Sequence, residues 1–150
     1  MLKQYPIHIL NLASVHDVAS KLPRRPIPYE MQVPMLNALR FRANIYVTGP
    51  PAFHEDTWTK AKITHPKSED GIDLHVSCRT TRCNLPNVDP ETGIAHRNEP
   101  GTTLRSYRVV DEGSKSACLG MMITPLNEGK VNVGDFVEVT ETGQHRRIKD

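Results

Sequence analysis

The chain has 150 residues, a formal net charge of +2, 37% hydrophobic and 5% aromatic residues, and 12 prolines. That length suits one domain able to bury a core, and apolar runs recurring along it exclude a disordered chain. The charge is too small and too scattered for a nucleic-acid-binding protein, and no apolar run reaches the roughly 18–20 residues of a membrane-spanning helix.

The N-terminus, MLKQYPIHILNL, lacks a basic stretch followed by a long apolar run and a small-residue cleavage site. Three cysteines, Cys78, Cys83 and Cys118, are too few, and odd in number, for a secreted disulfide scaffold. Together these features imply an intracellular protein, cytoplasmic or mitochondrial, with reduced thiols. The denser basic pieces, Arg24-Arg25 and Arg146-Arg147-Ile148-Lys149, read as solvated charge.

In chain order, residues 6–12 (PIHILNL) suit a buried strand. Ser14 is a candidate N-cap with Asp17 three residues on, for a helix Val15–Leu22 that ends at Pro23. Residues 23–34 carry four prolines and read as a loop, and a short helix over Met35–Leu39 follows. Phe41–Thr48 (FRANIYVT) is the clearest strand, β-branched and aromatic, stopped by Gly49-Pro50-Pro51. Residues 52–60 read as a turn with Trp58 as a core anchor.

Ala61–Ile63 reads as a strand leading to a polar insertion at 65–71, and Asp73–Cys78 alternates as the next strand. Leu85–Gly101 is turn-rich. Thr103–Val110 is a strand, or a short helix followed by strand, and Cys118–Ile123 is another strand. Gly129–Thr140, with Asn132–Asp135 as its turn, resembles a β-hairpin of the kind that closes a small barrel. The total is six to eight short strands and one or two helices. The fold class is mainly β with minor helix (α+β), barrel-like, as a single domain over 1–150.

Arg79, Arg82 and Cys83 fall within five residues at the exit of a strand. A cation beside a thiol stabilises the thiolate, the form that binds metal or attacks electrophiles. Thr80, Thr81 and Asn84 add groups able to bond oxo or phosphate oxygens. Against this, free cysteine is among the most buried residue types, and spacing alone favours packing for Cys83. Cys78 and Cys118 read as packing residues. The spacing C-x4-C with a distant third cysteine is not a zinc-ribbon pattern. Asp89 and Thr92 read as loop holders and Asn44 as a backbone-fixing residue. His54, His65 and His96 fall in loops and receive no proton-transfer role.

Five stretches in order, YPIHILNLAS (5–14), FRANIYVTG (41–49), CRTTRCNLPNVDPETG (78–93), TLRSYR (103–108) with CLGM (118–121), and GKVNVGDFVEV (129–139), resemble the MOSC domain. Within that family they are most similar to the amidoxime-reducing component and its fungal relatives. The resemblance implies a MOSC-type β-barrel-like fold and a molybdenum cofactor of the molybdopterin type. It places the metal ligand at Cys83, which also becomes the catalytic position, and cofactor contacts at Arg42, Thr81, Arg82 and Gln4, with Tyr5 beside the last. A soft thiolate suits a heavy transition metal, and cationic neighbours suit a phosphate-bearing cofactor.

The resemblance further implies an oxidoreductase that reduces N-hydroxylated small molecules, with a b-type cytochrome and a flavin reductase as electron donors. It also brings pyridoxal phosphate binding among the expectations. The family's N-terminal barrel region does not precede the first strand here, so the single domain is expected to be partial relative to longer members. It also carries Ala43 where the family has proline, and Met121-Met122 where some relatives are aromatic. That departure supports an alternative, a non-catalytic or truncated module carrying cofactor or sulfur. A Cys83/His96 nucleophilic hydrolase ranks below both, since nothing in the sequence brings that histidine to the thiol.

Overall fold

The computed structural model describes residues 6–23, 36–68, 70–112 and 114–145. Its elements are β1 (Ile7–Asn11), α1 (Leu12–Lys21), β2 (Ile45–Val47), β3 (Trp58–Thr64), β4 (Gly71–Thr81), α2 (Gly101–Tyr107), β5 (Cys118–Pro125) and β6 (Phe136–Thr142). Short 3-10 turns occupy Ala38–Phe41, His54–Thr57 and Leu85–Asn87. The strands form one curled, half-barrel sheet in the order β2-β1-β5-β4-β3-β6. Only β1 and β2 pair in parallel, across a crossover that contains α1. The mainly β, barrel-like expectation holds.

Each face of the sheet has its own core. Ile9, Trp58, Ala61, Ile63, Leu74, Val76, Met121 and Ile123 pack on one side. Leu10, Val15, Val18, Phe41, Leu104, Ala117 and Leu119 pack on the other, under the helices. Successive residues Ile9 and Leu10 of β1 serve opposite faces, as strand alternation requires.

On β5, Leu119 and Met121 share a parity yet face different cores. Gly120 lies between them at φ +79°, and there pairing advances from Arg79 to Thr81 on β4 but from Met121 to Cys118 on β5. The extra residue is a bulge that turns the strand over. A Cβ on Gly120 would lie 2.3 Å from His8 Nε2 and 2.7 Å from the Ile9 carbonyl, so glycine is required both for its backbone angle and for space.

Several boundaries differ from expectation. Helix α1 starts at Leu12, capped by Asn11, whose side chain accepts from Ala13 N–H. Ser14 lies inside the helix, where its hydroxyl donates to Glu55 Oε1 at 2.6 Å and accepts from Phe53 N–H at 2.8 Å, so it is a tertiary tie rather than the cap. The expected strand 41–48 shrinks to Ile45–Val47. Phe41 instead closes a 3-10 turn with its ring buried, and Arg42 caps that turn in the left-handed region at φ 53°. The predicted helix 35–39 is this same turn, shifted to Ala38–Phe41.

Trp58 is fully buried, as expected of an anchor, and begins β3 rather than ending a turn. Thr103–Val110 contains most of α2 and no strand. In 129–140 the turn Asn132–Asp135 is present, but only the segment after it becomes a strand. Gln4, Tyr5, Arg24-Arg25 and Arg146–Lys149 lie outside the described residues.

Candidate functional site

Strand β4 ends at Thr81, and the next two residues diverge: Arg82 turns inward while Cys83 is exposed. Arg82 is held by its backbone N–H, which donates to the Ala117 carbonyl at 2.8 Å, and by its guanidinium, which donates to the Phe41 carbonyl at 2.6 Å. The guanidinium also lies over the Phe41 ring, 5.3 Å from its centroid, a cation–π contact. Burial lowers the Arg82 pKa to about 10, opposed by the neighbouring Cys83 and Tyr46, so the side chain remains a cation at neutral pH. Among the described residues its Nε is buried without a hydrogen-bond partner, as is Thr80 Oγ1.

After Cys83 the chain enters the 3-10 turn Leu85–Asn87, and Leu85 N–H points at the Cys83 sulfur, 3.4 Å away. Asp89 then closes the following turn. Its Oδ1 accepts from Glu91 and Thr92 N–H at 2.8 and 3.1 Å, and these two bonds, ahead of the Arg40 charge, hold its carboxyl below the usual range. Thr92 Oγ1 accepts from Ile94 N–H. Asp89 and Thr92 are therefore loop holders, as their turn chemistry suggested. Asn44 does the same for β1, accepting from His8 N–H at 2.8 Å.

Two expected site residues flank this segment on the surface. Arg42 is exposed and has no ion pair among the described residues. Thr81 is exposed at the strand end. Phe41 links Arg42 to Arg82, because its carbonyl receives the Arg82 guanidinium one residue before Arg42.

The expectation that Arg79 sits beside the thiol is corrected. Its guanidinium donates to Asp111 Oδ1 at 2.6 Å and lies 3.6 Å from Asp56 Oδ2. Asp56 Oδ2 also takes Arg108, at 2.6 Å, whose Nε donates to the Cys118 carbonyl. Two arginines and two aspartates thus form one largely buried network at the start of β5. Arg79 is drawn there because both carboxylates need cations to offset their own desolvation. Cys118 packs inside this network, its thiol pushed up to about 12 by burial and by Asp111. Burial likewise raises Cys78. Cys118 fits the packing role expected of it, whereas Cys78 is only partly buried.

His96 Nδ1 accepts from Asn98 and Glu99 N–H, fixing the ring within its own loop. No hydrogen bond joins it to Cys83 among the described residues, so the Cys/His hydrolase reading has no geometry behind it. His54 accepts from Trp58 Nε1 and His65 pairs with Asp135. A cleft of about 740 Å³ opens on the concave side of the sheet, lined by Ile7, Ile45, Ile63, Ile72 and Ile123, and a smaller polar one of about 260 Å³ adjoins it. Neither includes Cys83, whose thiol lies on the open surface beyond the end of β4.

Sequence reasoning missed Arg40. Only 4% exposed, it donates to the Pro86 and Asn87 carbonyls and to Asp89 Oδ2. The available signal was the pair of arginines around an apolar residue in Arg40-Phe41-Arg42, since a buried Phe41 leaves its neighbours to serve different sides.

The MOSC domain family model matches residues 2–138 of this chain. The chain belongs to the MOSC family. This MOSC domain is 34% identical over 137 residues to mitochondrial amidoxime-reducing component 1 of Mus musculus, a match covering 88% of the chain and 36% of that protein. It is 35% identical over 137 residues to mitochondrial amidoxime reducing component 2 of Rattus norvegicus, with the same coverage. It is also 33% identical over 105 residues to molybdenum cofactor sulfurase of Arabidopsis thaliana, covering 68% of the chain and 12% of that protein. The MOSC domain thus spans about a third of the length of the amidoxime-reducing relatives it matches. No described helix is long and apolar enough to cross a membrane.

Proposed function

We propose that this chain is a molybdenum-cofactor-binding MOSC module in which Cys83 supplies the thiolate ligand to the metal, and that it forms part of an oxidoreductase acting on N-hydroxylated substrates. The observation that carries the reading is the exposed Cys83 thiol at the exit of β4, with a backbone N–H aimed at its sulfur and the Arg82 cation behind it. The donor set fits such a cofactor. A thiolate is a soft ligand suited to a heavy metal. Arg82 Nε and Thr80 Oγ1, without partners among the described residues, are polar groups whose desolvation costs about 1–3 kcal/mol each until a partner reaches them.

In this reading each residue has a limited task. Leu85 N–H stabilises negative charge on the Cys83 sulfur. Arg82, protonated below pH about 10, offsets anionic charge next to it. Arg42, exposed on its left-handed cap, and Thr81 contribute a cation and a hydroxyl at the rim. Gln4 belongs to the same expected set and lies outside the described residues. The bound cofactor would supply two-electron redox chemistry at a metal. A b-type cytochrome and a flavin reductase are the proposed electron donors, and a mitochondrial setting is proposed because the relatives are named as mitochondrial proteins. Residues 78–93 contain no lysine, so this segment offers no amine for a pyridoxal phosphate aldimine.

The test is the molybdenum content of purified protein beside Cys83→Ala, with Trp58 emission confirming that both are folded. Loss of nearly all molybdenum in the variant is expected. Equal molybdenum in the two samples overturns the reading. The similarity to molybdenum cofactor sulfurase supports a second reading, a non-catalytic module that holds cofactor or carries sulfur. Amidoxime reduction by the chain alone, given an electron donor, decides against that alternative.

A further inference from the structure

We infer that Arg40 is a positioning residue for Cys83, fixing the segment that carries the thiol from beneath. Arg40 sits on the 3-10 turn Ala38–Phe41, whose start is capped by Asn37 Oδ1 accepting from Leu39 N–H. From there its Nη1 donates to the Pro86 and Asn87 carbonyls at 3.3 and 3.2 Å, and its Nη2 donates to Asp89 Oδ2 at 2.7 Å. All three acceptors lie three to six residues beyond Cys83: Pro86 and Asn87 on the turn whose first amide, Leu85 N–H, points at the sulfur, and Asp89 on the turn that follows.

The tie is returned in the other direction. Arg82, immediately before Cys83, donates to the Phe41 carbonyl of the same 3-10 turn. Cys83 is therefore bracketed by two crossed guanidinium ties to one short base: Arg82 reaches from the thiol segment to the base, and Arg40 from the base to the thiol segment. Arg40 and Asn87 are both buried, so the carbonyls that Arg40 satisfies have little access to water in its absence. A guanidinium serves two carbonyls and a carboxylate at once because its donors are fixed in a plane, which a lysine ammonium cannot match. Asn87 adds a further anchor, its Oδ1 accepting from Gly101 N–H at the start of α2.

This deepens the proposal for Cys83, on which its functional meaning rests, but its measurement is independent of cofactor. In a Cys78→Ser background, a nitroxide is attached to Cys83, since Cys118 is fully buried. The continuous-wave electron paramagnetic resonance line shape is then compared among the parent, Arg40→Ala, Arg40→Lys and Asp89→Asn. A constrained line shape is expected in the parent, and a severalfold shorter correlation time in Arg40→Ala. Arg40→Lys and Asp89→Asn should be intermediate, because the first keeps the charge pair and the second keeps the carbonyl bonds.

A second nitroxide, on Thr142→Cys of exposed strand β6 in a Cys83→Ser background, should not respond to Arg40→Ala, which separates local release from general loosening. An unchanged Cys83 line shape in folded Arg40→Ala overturns the inference, as does an equal response at both labels. If Arg40→Ala does not fold, Asp89→Asn decides: the parent line shape in that variant overturns it. Failure of the cofactor reading would appear instead as equal molybdenum in the parent and Cys83→Ala, which this label does not sense.

Discussion

The Arg82 guanidinium donates to the Phe41 carbonyl at 2.6 Å while lying 5.3 Å from the centre of the Phe41 ring. One residue thus receives the same cation through its backbone and its side chain. Lysine cannot make both contacts with one planar group. Arg82→Lys is expected to cost about 1–2 kcal/mol, the scale of a lost charge-assisted bond, and to lower molybdenum retention. Urea denaturation and elemental analysis of the variant check the two effects.

The network around Asp56 predicts a larger loss. Asp56 Oδ2 receives Arg108 at 2.6 Å and lies 3.6 Å from Arg79 Nε. Removing one member of a buried ion cluster typically costs about 3–5 kcal/mol, because the remaining charge is stranded. Asp56→Asn should therefore lower stability by that order, measured by chemical denaturation. A loss below about 1 kcal/mol would mean that the network behaves like a surface pair.

Gly120→Ala should be among the most damaging single-methyl additions in the chain. The new carbon would meet His8 Nε2 and the Ile9 carbonyl well inside contact distance, at a backbone angle of +79°. Such overpacking and strain cost about 1–3 kcal/mol each. A depressed thermal midpoint is expected, with His8–Met122 pairing between β1 and β5 weakened. Amide exchange on β1 reads this directly.

Cys118 predicts an alkaline limit. Its thiol is raised from 9.0 to about 12 by burial, then by Asp111. A thiol whose folded pKa exceeds its unfolded value contributes stability that is complete below pH about 9 and lost as pH rises through about 12. Cys118→Ala should thus show a flatter decline in denaturation midpoint than the parent between those two values. Parallel curves would refute the assignment.

Asp89 predicts an acid limit of the opposite sign. Backbone bonds from Glu91 and Thr92, then Arg40, hold its carboxyl below the ordinary 3.8. Its contribution is present above that value and disappears as pH falls through the lower folded one. The carboxyl carbon should titrate below 3.8 by NMR, and Asp89→Asn should soften the acid-induced fall in thermal midpoint.

Much of the strand inventory was legible because alternation and β-branching survive wherever one face is buried, as in Asp73–Cys78 and Cys118–Ile123, although β4 and β5 both extend beyond those bounds. Turn chemistry foretold Asp89, Thr92 and Asn44 from their own side chains. What failed were choices decided by distant partners. FRANIYVT has strand propensity throughout, yet burial of Phe41 and the Arg82 bond to its carbonyl favour a 3-10 turn. Ser14 has the chemistry of a cap, but Glu55 and Phe53 claim its hydroxyl. Arg79 is as near to Cys83 in sequence as a helpful cation should be, and it turns away because Asp56 and Asp111 lie elsewhere. The Arg40-Phe41-Arg42 pattern signals an inward arginine but not its partners, since its three acceptors lie 46 to 49 positions along the chain.

The sheet carries separate cores on its two sides, and the frame of Cys83, with Phe41, Leu104 and Ala117, belongs to the helical one. The concave side, built on Ile63, Leu74 and Ile123, is thereby free to drift in volume and shape without disturbing the thiol. Paired substitutions such as Ile63→Val with Leu104→Val should behave as independent events, their penalties simply adding. An engineer or a lineage can accordingly remodel the hollow side while leaving the side that frames Cys83 untouched.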